Sequence, residues 1–255
     1  MYNFSCDVLI KNYLIMEMLF PELEETENGK ETFLQKKSTY ESEYRRKIRQ
    51  FENIHLLADI PREGHFQMPK AQPVNVNEFP QFYIPYSNLR KGMPVHIGVH
   101  FFIHDFLFGN VWNNLKKVLL ELKKYDLVIS TDDSVFMDTP LFDNMRVVFK
   151  NRAFTAVGQK LGVNVIPCFS CGDPKYIEYY CDGLPEGGCI AVSAMGTNRK
   201  RSVTKIFKYC VHEMCERKHP ETLLVYGSNA DLGLNIPVIR IPTFVEDLRK
   251  RGGVK

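Results

Sequence analysis

Residues 127–134 read Leu-Val-Ile-Ser-Thr-Asp-Asp-Ser, an apolar run that ends on hydroxyls and carboxylates. A strand wetted on one side alternates apolar with polar residues, so a run that is apolar at every position belongs to a strand covered on both faces, the mark of a parallel sheet. Residues 145–161 follow with helical spacing. The same couplet recurs on both sides of this stretch: 95–103 before 112–124, 163–170 before 174–181, 189–195 before 203–218, then 222–227, and 236–241 before 245–251. Five or six such βα units in series predict parallel strands, because a parallel neighbour needs a crossover of about a dozen residues or more. The expected fold is therefore α/β. A TIM-barrel-like arrangement, complete or partial, is favoured over an open doubly wound sheet, because polar residues recur at nearly every strand end rather than at one switch point.

The chain before residue 95 has a different character. Residues 1–20 read as a short apolar helix, and 22–29 as a Glu-rich joint. Residues 36–50 carry Lys36, Lys37, Arg45, Arg46, Lys47 and Arg49, which suits a solvated helix face or a basic arm on phosphate. Pro61, Pro69, Pro73, Pro80, Pro85 and Pro94 then predict an extended lead-in. The expected division is 1–94, a helical, basic and extended segment, and 95–255, the α/β core. With 255 residues, 44% hydrophobic and 25% charged, the composition is that of an ordinary globular protein and excludes wholesale disorder, collagen and coiled coil. Because 33 Lys and Arg stand against 30 Asp and Glu, any nucleic-acid contact must come from a local patch. Lys11, Asn12 and Glu17 interrupt the early apolar stretch, and no uncharged run reaches the roughly 18 residues of a membrane span. The expectation is no signal peptide, no membrane contact and, with an odd count of 7 cysteines, a reducing cytoplasm.

In parallel α/β folds ligands bind beyond the carboxyl ends of the strands, where helix N-termini and loops converge. Those ends carry His104 and Asp105; Asp132, Asp133 and Ser134; Ser170, Cys171 and Asp173; Ser193, Gly196 and Thr197; and Tyr226, Gly227 and Ser228. Each Asp, Ser or Thr alone is also a favoured N-cap; their accumulation points to a site. Asp105, Asp132, Asn151, Arg152, Ser170, Ser193 and Tyr226 are expected to line one cavity. His96, His100 and His104 do not make a zinc site, since positions four apart on a strand lie about 13 Å apart and zinc ligands sit at about 2 Å. Only His104 is expected near the ligand end. Cys168 and Cys171 form a C-x-x-C without a second half-site, and read as buried structural thiols. The loop Gly196-Thr197-Asn198-Arg199-Lys200-Arg201-Ser202 sets three cations at a helix start, an anion site by electrostatics, although it lacks the G-K-[ST] ending of a Walker loop.

Several stretches together resemble the bacterial and phage proteins grouped as domain of unknown function 4417. They are Val99-His100-Phe101-Phe102-Ile103-His104-Asp105-Phe106 with Val111-Trp112, Ser130-Thr131-Asp132-Asp133-Ser134 with Asp138-Thr139-Pro140-Leu141, Asn151-Arg152, and Val165-Ile166-Pro167 with Ser170. Asp182-Gly183-Leu184-Pro185, Ala191-Val192-Ser193 with Gly196, and Val225-Tyr226-Gly227 continue the likeness, which runs over roughly residues 92–228. His104 replaces the usual first Asp of that pattern, Asp133 a Phe and Cys171 a Trp. The resemblance implies an α/β protein of phages, plasmids and their hosts, and brings no mechanism with it.

Two functions compete. In the first, an enzyme acts on a phosphate-bearing substrate, a nucleotide or nucleic acid. Asp105, Asp132, Asn151 and Arg152 are its catalytic set, Asp105 and Asp132 would hold Mg²⁺ or Mn²⁺, and Ser134, Ser170, Ser193, Gly196, Arg199, Arg201 and Tyr226 bind substrate. In the second, the chain is a mobile-element module that holds nucleic acid or a protein without chemistry.

Overall fold

The computed structural model describes residues 47, 50, 52–197, 200–227 and 231–250. The chain divides into two compact units, Met1–Glu52 and Asn53–Lys255. The expected N-terminal helix over 1–20, the joint at 22–29, Cys6 and most of the basic stretch 36–50 lie outside the described residues, as do Arg199 and Ser228.

The second unit alternates strands with helices as the apolar runs predict. Its elements in order are β1 (Arg62–Glu63), β2 (Met68–Pro69), β3 (Tyr83–Pro85), β4 (Gly98–His100), α1 (Leu115–Leu122), β5 (Leu127–Ile129) and α2 (Leu141–Lys160). There follow β6 (Val165–Ile166), β7 (Cys168–Phe169), α3 (Ile177–Cys181), β8 (Cys189–Ser193), α4 (Arg201–Lys218), β9 (Thr222–Tyr226), β10 (Val238–Ile241) and α5 (Phe244–Lys250). Apart from the antiparallel β1–β2 pair, every strand pairing is parallel. Neighbours follow chain order in two sheets of four strands, β3-β4-β5-β6 and β7-β8-β9-β10. β3 comes from the proline-rich lead-in rather than from the stretch after residue 95. Its Pro85 lacks an N–H and is tolerated because β3 is an edge strand.

One stretch of chain, 165–169, serves both sheets. Pro167 separates β6, which pairs with β5, from β7, which pairs with β8. Around the proline the ladder is patched: the Ala191 N–H donates to the Pro167 carbonyl at 2.9 Å, and the Cys168 N–H to Ser130 Oγ at 2.9 Å. The expected barrel closure does not appear. Among the described residues no pairing joins β3 to β10, and the hydrogen bonds define two sheets of four.

Alternation along these strands divides the core into three. Val99, Val128 and Val165 pack with Leu115, Val118, Leu119 and Leu122, the apolar stripe of α1 at i, i+3, i+4 and i+7. Phe169, Ile190, Val192, Leu223 and Val225 face Val211 and Met214 of α4. The intervening positions, Ile129, Ile166, Cys168, Ala191, Leu224 and Tyr226, form a third cluster on the opposite sheet faces. His100 borders that cluster, 4.7 Å from the Tyr226 ring. Its Nδ1 accepts the Phe102 N–H at 3.2 Å, and burial pushes its imidazole down to about 3, so the ring is neutral at pH 7.

Helix α2 links the first two clusters, giving Phe154 and Val157 to one and Met145 and Val148 to the other. It also supplies Arg152, which is only 1% exposed. The guanidinium donates from Nη1 to the Cys168 carbonyl at 2.8 Å, from Nη2 to Tyr180 at 2.7 Å and from Nε to Asp182 at 3.0 Å. Burial lowers its pKa to about 10, so it stays charged at neutral pH. Gly183 makes room for it. With φ +76° it lies in the left-handed region, and a Cβ there would meet the Pro69 carbonyl oxygen at 2.6 Å and Arg152 Cδ at 3.1 Å.

Replacing Arg152 with Ala strands three carbonyls. The expected loss is about 3–5 kcal/mol, read as a lower urea midpoint at unchanged slope, with Arg152→Lys recovering only part of it. A midpoint unchanged in Arg152→Ala would refute the cross-link.

Candidate functional site

The segment that follows β5 is held by side-chain amides on one face of α2. Asn151 Oδ1 accepts the Thr131 hydroxyl at 2.8 Å and the Asp133 N–H at 3.3 Å, while Nδ2 donates to the Asp133 carbonyl at 3.5 Å. Two turns earlier, Asn144 accepts the Phe136 N–H at 3.2 Å and donates to the Phe136 carbonyl at 2.8 Å. Each amide replaces a strand neighbour for backbone that has left the sheet. Asn144 is not among the residues singled out from the sequence. The signal was there, two asparagines seven apart on a helix, which places them on one face.

The loop so fixed separates two cavities. The first, of about 300 Å³, is lined by Asp105, Phe106, Trp112, Thr131, Asp133 and Lys150 among others. The second, of about 330 Å³, is lined by Asp132, Ser134, Ser170, Ser193 and Thr197, with Cys171, Cys210 and apolar side chains from α4. Of the residues expected to share one cavity, Asp132, Ser170 and Ser193 do so and Asp105 opens on the other. Asn151, Arg152 and Tyr226 line neither. Asn151 is committed to the Thr131 hydroxyl and the Asp133 backbone and Arg152 to backbone carbonyls; Tyr226 is buried, stacked on Phe102 at 4.8 Å, and its hydroxyl accepts the Phe244 N–H at 3.4 Å.

Asp132 is held by two side chains. Its Oδ1 accepts the Ser170 hydroxyl at 2.5 Å and the Cys168 thiol at 3.4 Å. Burial raises its pKa, and the charge of Asp105 adds to that, against the two hydrogen bonds. On the other side of the loop, burial and then the Asp105 charge push Asp133 up to about 6, with Lys150 pulling the other way. Asp105 itself caps the loop, accepting the Ser134 N–H and hydroxyl at 3.0 Å each. Ser134 thus binds the acid of one cavity while lining the other.

The phosphate candidates are less closed in. Gly196, at φ +75°, turns the chain after β8 with open space beside it, and the Thr197 hydroxyl holds the turn through the Ala194 carbonyl at 2.8 Å. Lys200 and Arg201 are exposed at the start of α4, where the Lys200 side chain makes no capping hydrogen bond. Arg199 falls outside the described residues. The three histidines go to separate places: His96 is 3.3 Å from Asp126, His100 is buried, and His104 stacks on Phe106 at the strand end. Among the described residues no three His, Cys, Asp or Glu side chains come together as metal ligands, and Asp105 and Asp132 open on different cavities.

A carboxyl whose folded pKa is raised favours its protonated form, so it costs stability as pH climbs from about 4 to 6. Asp133→Asn removes that cost. The variant is expected to unfold about 1–3 kcal/mol later than the parent at pH 8 and at the same denaturant concentration at pH 4. Equal midpoints at both pH values would contradict the assignment.

Comparison with known proteins fits these positions into a family. Gene 1 protein of Mycobacterium phage D29 is 26% identical over 211 residues, covering 79% of this chain and 76% of the phage protein. Gene 1 protein of Mycobacterium phage L5 is 24% identical over 210 residues, covering 78% and 89%. No solved structure gives a significant match. The family model described as Domain of unknown function (DUF4417) matches residues 60–239, which take in both cavities, the amide clamps and Arg152, and the chain belongs to that family.

Proposed function

We propose that this phage-related protein is an enzyme acting on a phosphate-bearing substrate, a nucleotide or nucleic acid, in the second cavity. The observation that carries the reading is Asp132, a desolvated carboxyl joined to a serine hydroxyl at the carboxyl ends of parallel strands. A carboxyl whose pKa is held above the usual range is better suited to accept and return a proton than an exposed one. Ser170 and Ser193 offer hydroxyls to position the substrate. The start of α4 offers backbone N–H groups and the Lys200 and Arg201 cations for a phosphate, with Arg199 the third cation of the same loop. Mg²⁺ or Mn²⁺ carried in by the phosphate would suit oxygen ligands. The chain-order strands and a third apolar cluster drawn from both sheets support reading the sheets as one partial, open barrel. No described helix is long and apolar enough to cross a membrane, and free thiols at Cys168, Cys171, Cys181, Cys189, Cys210 and Cys215 support a reducing cytoplasm.

A second reading, a non-catalytic module for nucleic acid or protein, draws on exposed apolar side chains in the strand-end loops and the first turn of α2. Phe106 is 78% exposed and Phe142 72%, with Phe136, Met137 and Met195 also open to solvent.

A thermal-shift screen of nucleotides, sugar phosphates and short oligonucleotides decides between them. A ligand at a hundredfold its Kd stabilises by about 2.7 kcal/mol, a rise of roughly 5–10 °C for a domain of this size. The rise is expected to shrink at high salt and in a Lys200→Ala, Arg201→Ala double variant. Asp132→Asn should keep the shift and lose turnover of the bound ligand. Shifts without turnover in the parent would favour the module. Shifts indifferent to the double variant, or none at all, would remove the phosphate site.

A further inference from the structure

The C-x-x-C of the sequence splits at the end of β7. Cys168 turns into the third apolar cluster and bonds Asp132, whereas Cys171 turns to the opposite side and meets α4. There it packs in the same apolar cluster as Cys210, in the third turn of α4 and 39 positions along the chain, and each thiol perturbs the ionisation of the other. Both side chains form part of the wall of the second cavity, Cys171 half-buried and Cys210 buried. Cys181 lies near Cys171 but is buried away from the cavity, and Cys189 belongs to the third cluster. Two thiols on different elements, packed in one cluster and sharing the wall of one small cavity, have what a reversible cross-link requires: proximity and a route for the oxidant.

We propose that Cys171 and Cys210 are an oxidisable dithiol, closed to a disulfide by a small peroxide that enters the second cavity. The inference stands on the placement of the thiols and holds whether or not the cavity also takes a phosphate. Their interaction keeps the proton on Cys171 and favours the Cys210 thiolate. That sulfur attacks hydrogen peroxide; an S–O bond forms, the O–O bond breaks, and the hydroxide released takes up the proton Cys210 had lost and leaves as water. The sulfenic acid on Cys210 is then attacked by the Cys171 sulfur. An S–S bond forms, the S–O bond breaks, and the departing oxygen leaves with the Cys171 proton as a second water. Two thiols give up two electrons and one peroxide accepts them. The product ties the turn after β7 to α4, two elements that bound the cavity.

The test is made on the full-length reduced chain. After treatment with hydrogen peroxide and removal of excess oxidant, free thiols are alkylated and the digest is mapped by mass spectrometry. The expected result is a linked pair of peptides containing residues 171 and 210, the loss of two alkylatable thiols per chain, and recovery of both on reduction. Cys181→Ser should leave the link intact. Cys210→Ser should abolish it and leave Cys171 open to alkylation. Retention of every thiol in the oxidised parent, or links chiefly between other cysteines, would overturn the proposal, and because that result is read on the parent alone it does not depend on any variant folding.

Discussion

A single guanidinium holds three pieces of this protein in register. Arg152 enters from α2 and bonds carbonyls of β7, of α3 and of the turn at Asp182. Burying a full charge without a carboxylate in contact is costly, and three charge-assisted hydrogen bonds are what make it tolerable. The cost has a return in geometry. Arg152 fixes α2 against β7 and Gln159, donating from Nε2 to the Val165 carbonyl at 3.0 Å, fixes it against β6, so the two sheets that meet at Pro167 are tied to one helix. Gly183 belongs to the same constraint, since a Cβ there would collide with the Pro69 carbonyl and crowd the arginine.

From that fixed helix the strand-end loop is built. Asn144 and Asn151 bond the loop backbone as a neighbouring strand would, and so 131–136 keeps a defined path outside the sheet. Two successive acids in an extended segment point to opposite sides. Asp132 therefore faces one cavity and Asp133 the other, and both are held where desolvation and the charge of Asp105 raise their pKa values. A fold that places two such carboxyls back to back, each at a cost in stability, marks the loop as the part of the molecule shaped by something other than packing.

Much of the fold was legible because burial on both faces leaves a plain trace. The runs at 127–131, 189–195 and 222–227 are apolar without alternation, and each became a parallel strand at nearly the expected place, while 163–170 gave two short parallel strands, one in each sheet. β3 was hidden because Pro80 and Pro85 read as loop, and an edge strand tolerates prolines that a central one does not. The sheet boundary at Pro167 was equally invisible, since a change of pairing partner leaves no periodicity behind. At the site, residue types were readable and directions were not. Asp132, Ser170 and Ser193 do meet at a strand-end cavity, whereas Arg152, which looked like a substrate ligand, spends its donors on backbone. That difference lies in tertiary partners far along the chain, as does the pairing of Cys171 with Cys210 rather than with Cys168.

Hydrogen–deuterium exchange in the presence of a nucleoside triphosphate tests most directly the claim that function lies at the carboxyl ends of these strands. The account predicts slowed exchange in peptides covering 131–137, 170–173 and 194–204, with the strand starts near Asn164 and Thr222 unchanged. Protection confined to those starts, or none at saturating ligand across nucleotides and oligonucleotides, would contradict it.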